Sequence, residues 1–399
     1  MNEKMRELGA RRSAIRELFE YGKRRKAEIG EENVFDFSIG NPSVPAPEQV
    51  RQTLLRLLTE KDPVALHGYT SAQGDPTVRG AIADYLNRTY EAGVDADLIY
   101  LTAGAAASLT ISLSALLNPG DEVILLAPFF PEYRVFVERT GAKVVSVPAD
   151  PETFQPDFAA LEAAFTEKTR VLLVNSPNNP TGAVLTEESV KKMVRLLEIN
   201  RRKQGSPIWL ISDEPYRELV WGDAKAPYLT QYYADTVICY SFSKSLSLPG
   251  ERIGYVLVSP RAENVSDVYA AICGAGRALG FVCAPSLFQY MIPDCLGLTS
   301  DLSVYRANRA LLADGLRGCG FRVVSPDGAF YLFVESPEPD AGAFAERAKG
   351  LELLVVPSDS FGCGGFVRVS YCVSTDQINR SMPAFRKLAE SYGLCNRSN

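Results

Sequence analysis

The chain has 399 residues, with 42 Lys and Arg against 48 Asp and Glu, a net charge of −6 and one histidine. This acidic balance excludes a general nucleic-acid binder, and no apolar run reaches the length of about 18 residues that suggests a membrane-spanning helix. One histidine excludes the two-histidine metal sites of zinc hydrolases and iron oxygenases, so no metal is predicted.

Residues 1–45 are predicted to form an N-terminal segment that packs with a small C-terminal domain. Ser13 is a suitable N-cap, and apolar side chains follow it at helical spacing, which predicts a helix over residues 13–29. Residues 34–39 alternate apolar and polar side chains like a half-buried strand, which stops at Gly40. The segment lacks the apolar region of a secretory signal, and the chain's eight cysteines form no C-x-x-C pair, which favours a cytoplasmic protein with reduced thiols.

A large domain is predicted over residues 46–285, where helix-length stretches such as residues 187–204 alternate with short apolar runs. Continuous apolar runs are typical of strands that are buried on both faces of a parallel sheet. The order therefore predicts an α/β domain with a mainly parallel sheet flanked by helices. The runs are residues 98–101, 122–126, 144–147, 171–174, 208–211, 236–240 and 254–258.

A smaller α+β domain is predicted over residues 286–399. A long periodic helical segment covers residues 285–318, and a final helix covers residues 376–392. Between them lie several strand-like runs, which indicate a second sheet. These runs are residues 321–324, 329–335, 353–356 and 366–371.

The sharpest chemical signal directly follows the run at residues 236–240. Ser241 and Ser243 offer hydroxyls there, Lys244 offers an amine and Arg252 a fixed cation. Together these groups are suited to hold a phosphate while the amine is free for imine chemistry. The alternative is a solvated, serine-rich loop with surface cations.

Two polar residues follow the buried run at residues 208–211. Asp213 is placed to face a ligand, because parallel sheets bind ligands beyond the C-terminal ends of their strands. Its carboxylate could hold a proton on the nitrogen of a cofactor ring, and Tyr216 could donate to a ring oxygen. The alternative is structural, since Asp followed by Glu-Pro is also a strong helix start.

Two further segments are weak signals by themselves. Residues 174–182 contain three asparagines, two prolines and a glycine, a composition that is typical of a turn. Gly104, Ala105 and Ala106 lead from a strand into a helix, and such small side chains let backbone amides approach an anion. A small-residue helix start can also simply pack tightly.

Together, these four segments resemble the signature of class I and II pyridoxal-phosphate-dependent aminotransferases, the aspartate aminotransferase superfamily of fold type I. The resemblance runs from Phe35 to Val373, and residues 328–331 and 366–370 are similar to small-domain strands of that family. It implies pyridoxal phosphate (PLP) as cofactor, an amino acid and a 2-oxo acid as substrates, and a homodimer with shared active sites.

The resemblance also implies a role for each residue around the cofactor. Lys244 would hold PLP as an internal aldimine and then carry the proton between the substrate and cofactor carbons. Asp213 would pair with the ring nitrogen, while Tyr216 and Asn179 would hydrogen-bond the phenolic oxygen. The residues that would hold the phosphate are Gly104, Ala105, Ala106, Ser241, Ser243 and Arg252.

Four more residues acquire roles from the same resemblance. Phe130 would stack on the ring, with packing in the core as the alternative. Arg368 would bind the substrate α-carboxylate in a bidentate manner, next to Asn179 and the backbone of Gly40. Tyr69 would reach the phosphate in the neighbouring subunit, with a packed or surface tyrosine as the alternative.

The predicted reaction is transamination by a ping-pong mechanism, with 2-oxoglutarate as acceptor. An aspartate-type donor is favoured, with alanine and aromatic amino acids as the alternatives. A PLP-dependent carbon–sulfur β-lyase shares the same lysine, aspartate and arginine and is the main alternative. A DNA-binding regulator would need an added domain, which the short segment before Val34 cannot house. Dicarboxylate-specific relatives take a second arginine from the partner subunit; no motif locates it here, and Arg277 is one candidate.

Overall fold

A computed structural model describes residues 1–10, 14–324 and 326–394. Its strands lie in one large sheet and two smaller ones. The strands are β1 (Phe35–Asp36), β2 (Ile99–Thr102), β3 (Glu122–Leu126), β4 (Lys143–Val147), β5 (Thr169–Asn175), β6 (Trp209–Asp213), β7 (Thr236–Ser241), β8 (Gly254–Val258), β9 (Val323–Val324), β10 (Tyr331–Glu335), β11 (Leu353–Leu354), β12 (Val356–Pro357) and β13 (Phe366–Ser370).

The large sheet has seven strands in the order β2-β8-β7-β6-β5-β3-β4. Each apolar run that predicts a strand in the large domain forms one of these seven. Neighbouring strands from β4 to β7 pair in parallel, and β8 is antiparallel to both β7 and β2. Helices cover both faces of the sheet, which explains why β6, β7 and β8 are buried at every position. The prediction of an α/β domain with a mainly parallel sheet is confirmed.

Helices occupy most of the chain between these strands. The longest of them, Glu187–Gln204, matches the predicted range; Thr186 caps its N-terminus and Gly205, at φ +69°, ends it. The helices are α1 (Glu3–Ala10), α2 (Ala14–Ile29), α3 (Glu48–Glu60), α4 (Pro63–His67), α5 (Pro76–Tyr90), α6 (Ala105–Leu116), α7 (Glu132–Arg139), α8 (Phe158–Ala164), α9 (Glu187–Gln204), α10 (Val265–Leu279), α11 (Ser286–Cys295), α12 (Leu302–Gly318), α13 (Ala341–Lys349) and α14 (Thr375–Ser391).

The C-terminal part of the chain forms a second core around the antiparallel sheet β12-β13-β10-β9. The helices α12, α13 and α14 contribute buried apolar side chains to this core. The N-terminal segment joins it, since β1 pairs in parallel with β11 and Gly22 of α2 lies against Leu354. Arg25 also forms an ion pair with Glu352, with 2.6 Å between their closest atoms.

Three elements differ from the expectation. The helical segment over residues 285–318 is two helices, because the chain leaves α11 at Leu296 and Asp301 caps a new helix, α12. Of the strand expected over residues 34–39, only Phe35–Asp36 pairs with another strand. No helix follows Asp213, which ends β6 and is followed by turns, so the helix-start alternative for this residue is wrong.

The structure bears on the predicted boundary between the large and the small domain, which falls just before α11. The helix α11, which we assigned to the start of the small domain, packs against α3, α4 and α5 of the large domain. Its residues Met291 and Ile292 belong to the apolar core on that side of the sheet. The division of the chain into domains stays a prediction, and the expected N-cap at Ser13 lies outside the described residues.

Within the part of the chain that the structure describes, no helix is long and apolar enough to cross a membrane. The same part contains no cluster of three or more side chains that could hold a metal ion. Its seven cysteines are free thiols; the eighth, Cys395, lies outside the described residues.

Candidate active site

The C-terminal ends of β5, β6 and β7 lie side by side at one edge of the large sheet, where parallel sheets bind their ligands. The strand register places Asn175 beside Asp213, and the Asn175 side-chain amide donates to the Asp213 main-chain carbonyl at 2.8 Å. A cavity of about 300 Å³ opens at this edge. Its walls include Gly40, Ala105, Ala106, Phe130, Tyr133, Asn175, Asn179, Asp213, Tyr216, Ser241, Ser243, Lys244, Arg252, Tyr331 and Arg368.

The cavity brings together most of the side chains that the sequence singled out, although they come from positions 40 to 368. Gly104 lies just behind the wall, as the N-cap of α6. Tyr69 does not line the cavity of its own chain; its side chain is 99% exposed. Arg277, the candidate for a second substrate arginine, is exposed on the last turn of α10 and does not line the cavity either.

The Lys244 side chain enters the cavity from the loop after β7. Its Nζ donates to the backbone carbonyl of Gly40 at 2.7 Å, which fixes the position of the amine. Burial lowers the pKa of the Lys244 amine to about 8; Cys372 opposes the shift, while Arg368 and Arg252 add to it. About a tenth of the amine is therefore neutral, and nucleophilic, at pH 7, far more than for an ordinary lysine.

This lowered pKa predicts a pH dependence. The rate at which PLP attaches to the cofactor-free protein should rise with pH and reach half its maximum near pH 8, because only the neutral Lys244 amine attacks the aldehyde. With an ordinary lysine, whose pKa is about 10.4, the rate of attachment would continue to rise well above pH 9. Stopped-flow absorbance measures this rate, with Lys244→Ala as the control for surface lysines. A rate still rising steeply above pH 9 would contradict the assigned pKa.

Asp213 ends β6 with its carboxylate buried at the base of the cavity. The hydroxyl of Tyr133 donates to Oδ2 at 2.5 Å, whereas Oδ1 is buried without a hydrogen-bond partner. Burial raises the pKa of Asp213 to about 7, the Tyr133 hydrogen bond lowers it, and the neighbouring Glu214 raises it. A buried oxygen left without a partner is costly, so this atom is suited to a ligand that carries a proton.

An anion cradle is formed where α6 begins. Gly104 caps the helix without a side chain, at φ +80°, and a Cβ there would lie 2.7 Å from Arg252 Nη2. The hydroxyls of Ser241 and Ser243 are 2.7 Å apart, and Arg252 Nη1 lies 3.5 Å from the second. Free backbone amides at a helix N-terminus, two hydroxyls and a guanidinium form a suitable binding site for a phosphate.

The Arg368 guanidinium lies on the opposite side of the cavity and is 2% exposed. Its Nη1 donates to Asn179 Oδ1 at 2.8 Å and its Nη2 to the Ser38 carbonyl at 2.5 Å, while its Nε is buried without a partner. The Tyr331 ring lies 4.5 Å below the guanidinium carbon. This planar cation is held in place and retains donor capacity for a carboxylate.

Aromatic side chains complete the walls between these polar groups. Tyr216 and Tyr331 share a hydrogen bond between their hydroxyls, at 2.9 Å. Phe130 lines the cavity with its ring edge-to-face against Tyr133, at 5.6 Å between centroids, and it also packs against the apolar core.

Sequence reasoning missed three residues that contact the predicted ones. Tyr133 follows Phe130 by three residues and Tyr331 ends the segment at residues 328–331, but no spacing rule connects them to Asp213 or Tyr216. Asn175, which anchors the Asp213 backbone, appeared only as part of a turn. Its position at the end of a buried strand, beside Asp213, was the available signal.

The residues present fit PLP. The Lys244 amine is placed for its aldehyde, and the buried unpartnered Oδ1 of Asp213 for a protonated ring nitrogen. The N-terminus of α6, with Ser241, Ser243 and Arg252, offers donors to a phosphate dianion. Among the described residues of the wall, the charged side chains are those of Asp213, Lys244, Arg252 and Arg368.

The comparisons with known proteins all match this chain to aminotransferases. The family model for aminotransferase class I and II matches residues 32–385. The chain is 29% identical to the aspartate aminotransferase of Pyrococcus horikoshii over 398 aligned residues, which cover 96% of each chain. The crystal structure of an amino transferase from Eubacterium rectale matches with a TM-score of 0.96 at 56% identity, over 98% of this chain and 99% of that chain. The aspartate aminotransferase of Thermus thermophilus with maleate matches with a TM-score of 0.85 at 27% identity, over 96% and 98%.

Proposed function

The chain belongs to the class I and II aminotransferases, a family that depends on PLP, and we propose that it transfers the amino group of an L-amino acid to a 2-oxo acid. One observation carries the proposal. A lysine amine, an unpartnered buried oxygen of Asp213 and the guanidinium of Arg368 face a single cavity. Transamination needs a base, a group that keeps the cofactor ring protonated and a cation for the α-carboxylate, and these three residues are suited to those tasks.

PLP is the proposed cofactor. When bound, it supplies an aldehyde for the substrate amine and a ring that accepts electrons from the substrate Cα. Ser241, Ser243, Arg252 and the N-terminus of α6 would hold its phosphate, and Asp213 Oδ1 would accept a hydrogen bond from its protonated ring nitrogen. Phe130 would cover one face of the ring.

Lys244 is the proposed proton carrier. Its amine donates to the Gly40 carbonyl, two residues after Ser38, whose carbonyl accepts a hydrogen bond from Arg368. An amine with a pKa of about 8 can take up and release a proton near neutral pH. We propose that it would remove the proton from the substrate Cα and carry it to the cofactor carbon.

Arg368 would orient the substrate. Its planar guanidinium can donate two parallel hydrogen bonds to an α-carboxylate, and its contacts with Asn179 and the Ser38 carbonyl fix its plane. Ile15 and Ile39 line the cavity near Gly40, and their apolar side chains would exclude water around the reacting carbon. Tyr216 and Asn179 would donate to the phenolic oxygen of the cofactor.

An aspartate-type donor and 2-oxoglutarate are the proposed substrates, used in a ping-pong sequence. The support is the naming of the relatives from Pyrococcus horikoshii and Thermus thermophilus as aspartate aminotransferases, over nearly the whole chain. Arg368 accounts for one carboxylate of each substrate. The group that binds the second carboxylate would come from a partner subunit.

Initial-rate kinetics test this function. The PLP-loaded protein, L-aspartate and 2-oxoglutarate should yield oxaloacetate and glutamate, with parallel double-reciprocal lines. Without 2-oxoglutarate, aspartate should yield no more than one oxaloacetate per active site, and without aspartate no glutamate should form. L-Alanine and L-phenylalanine, tested in place of aspartate, define the donor class. Release of pyruvate and ammonia from cystathionine without any 2-oxo acid would instead establish a carbon–sulfur β-lyase.

A homodimer with shared active sites is proposed from the exposed apolar surface. Tyr69 and Val64 are 99% and 81% exposed, and Phe281 and Val282 lie nearby, since the Cys283 amide donates to the Ala72 carbonyl at 3.2 Å. A second copy of the chain would cover this surface. Tyr69 of each subunit would then reach the phosphate site of the other subunit. Sedimentation of the purified protein checks the mass; a fully active monomer would contradict the proposal.

We also propose a cytoplasmic location. The seven described cysteines are free thiols, and Cys273, Cys283 and Cys363 among them are partly exposed. Unpaired thiols persist in a reducing compartment. Fractionation of cells that express the chain would test this, and recovery outside the cytoplasmic fraction would contradict it.

A further inference from the structure

Tyr133 has a contact that none of the roles above uses. It stands on the first turn of α7, just after the segment that carries Phe130, and its side chain is 1% exposed. Its hydroxyl donates to Asp213 Oδ2 at 2.5 Å, across 80 residues of chain. A phenol buried against a carboxylate is a charge-assisted hydrogen bond, which is stronger than a bond between neutral groups.

The carboxylate of Asp213 has few other restraints. Asn175 holds the main-chain carbonyl of this residue at 2.8 Å, but not its side chain. Among the described residues, Tyr133 is the hydrogen-bond partner of the carboxylate, and Oδ1 has none. Rotation about the terminal bond of an aspartate is broad, so the hydrogen bond to Oδ2 decides where Oδ1 points.

We propose that Tyr133 is a positioning residue, which fixes the Asp213 carboxylate with Oδ1 toward the cavity and favours its ionised form. The inference rests on the proposed function, in which Oδ1 accepts a hydrogen bond from the protonated ring nitrogen of the cofactor. Without the hydroxyl, the carboxylate would be free to rotate and would be protonated more readily in its buried site.

The other groups around Asp213 act in the opposite direction or are neutral. Glu214 follows it in the chain and raises its pKa, as burial does. Cys239 on β7 and Tyr216 after the turn also face this region; both are buried with raised pKa values, so they are neutral near pH 7. Among the described residues, Tyr133 is thus the group whose hydrogen bond stabilises the negative charge of this carboxylate.

The variant Tyr133→Phe tests the inference, because it removes one hydroxyl and keeps the ring. The readout is the affinity of the cofactor-free protein for pyridoxamine phosphate, which has the same ring nitrogen but no aldehyde to react with Lys244. At pH 7.5 we expect about tenfold weaker binding, the effect of losing one hydrogen bond to a charged group. The pH below which affinity falls should move up by about one unit, since the pKa of Asp213 rises.

Two controls separate positioning from a structural effect. Tyr233→Phe removes another buried hydroxyl, which donates to the Ile208 carbonyl at 2.8 Å far from the cavity, and should leave both the affinity and its pH profile unchanged. In an Asp213→Asn background, Tyr133→Phe should change the affinity by less than about twofold, because the charge through which it acts is gone.

Each outcome has one meaning. An equal loss of affinity with and without Asp213, or a loss that is the same at every pH, would show that Tyr133 only supports the fold. Unchanged binding in Tyr133→Phe would also overturn the inference. If the unaltered protein binds neither pyridoxamine phosphate nor PLP, the proposed function itself fails, and that result differs from the other two.

Discussion

Replacing Lys244 with alanine should lower the rate of amino-group transfer by at least about 10⁴-fold, because in the proposed function the residue is both the attachment point of the cofactor and the base. The free energy of unfolding should change by no more than about 1 kcal/mol, since the side chain makes one hydrogen bond, to the Gly40 carbonyl. Activity assays and urea unfolding of the purified variant measure the two effects.

The test of Lys244 has a chemical readout that does not depend on activity. Borohydride treatment of the PLP-loaded protein, followed by peptide mapping, should place the reduced cofactor on this lysine and leave the Lys244→Ala variant unlabelled. Lys203→Ala is the matched control, because Lys203 is exposed near the end of α9 and outside the cavity. A label on another lysine, or more than about 1% residual activity in Lys244→Ala, would contradict the assignment.

Much of the fold was accessible from the sequence because the large sheet is covered on both faces. A strand buried on both faces reads as a continuous apolar run, and each of the seven runs forms a strand of that sheet. Where burial is one-sided or absent, the pattern was weaker. Of residues 34–39, only two pair with another strand. The break between α11 and α12 falls in a segment whose apolar residues continue at helical spacing, so the sequence pattern does not reveal it.

The site divides in the same way. Lys244, Asp213 and Arg368 were found because each stands at a fixed place in a recognisable segment, and the structure lines one cavity with all three. Their partners were not found. The hydrogen bonds from Tyr133 to Asp213, between Tyr216 and Tyr331, and from Arg368 to the Ser38 carbonyl span 80, 115 and 330 residues. Such contacts depend on how α7, the small domain and the N-terminal segment pack, which local spacing does not encode.

Replacing Arg368 with lysine should reduce kcat/KM for the amino acid donor by about 10²- to 10³-fold. The guanidinium can offer a carboxylate two charge-assisted hydrogen bonds in one plane, whereas an ammonium binds as a point charge; losing this geometry costs about 3–4 kcal/mol. The variant also leaves Asn179 Oδ1 and the Ser38 carbonyl without their present partner, so we expect unfolding to become easier by about 1–3 kcal/mol. Steady-state kinetics and thermal unfolding measure these changes.

The choice of substrate separates carboxylate binding from a general disturbance of the site. A primary amine that lacks the α-carboxylate does not use the guanidinium, so its slow reaction with the PLP-loaded protein should change by less than about threefold in Arg368→Lys. Arg380→Lys, on the exposed face of α14 beside Asp376, is the control for exchanging an arginine elsewhere. If Arg368→Lys slows the amine and the amino acid equally, the guanidinium supports the cavity rather than the substrate, and its assignment fails.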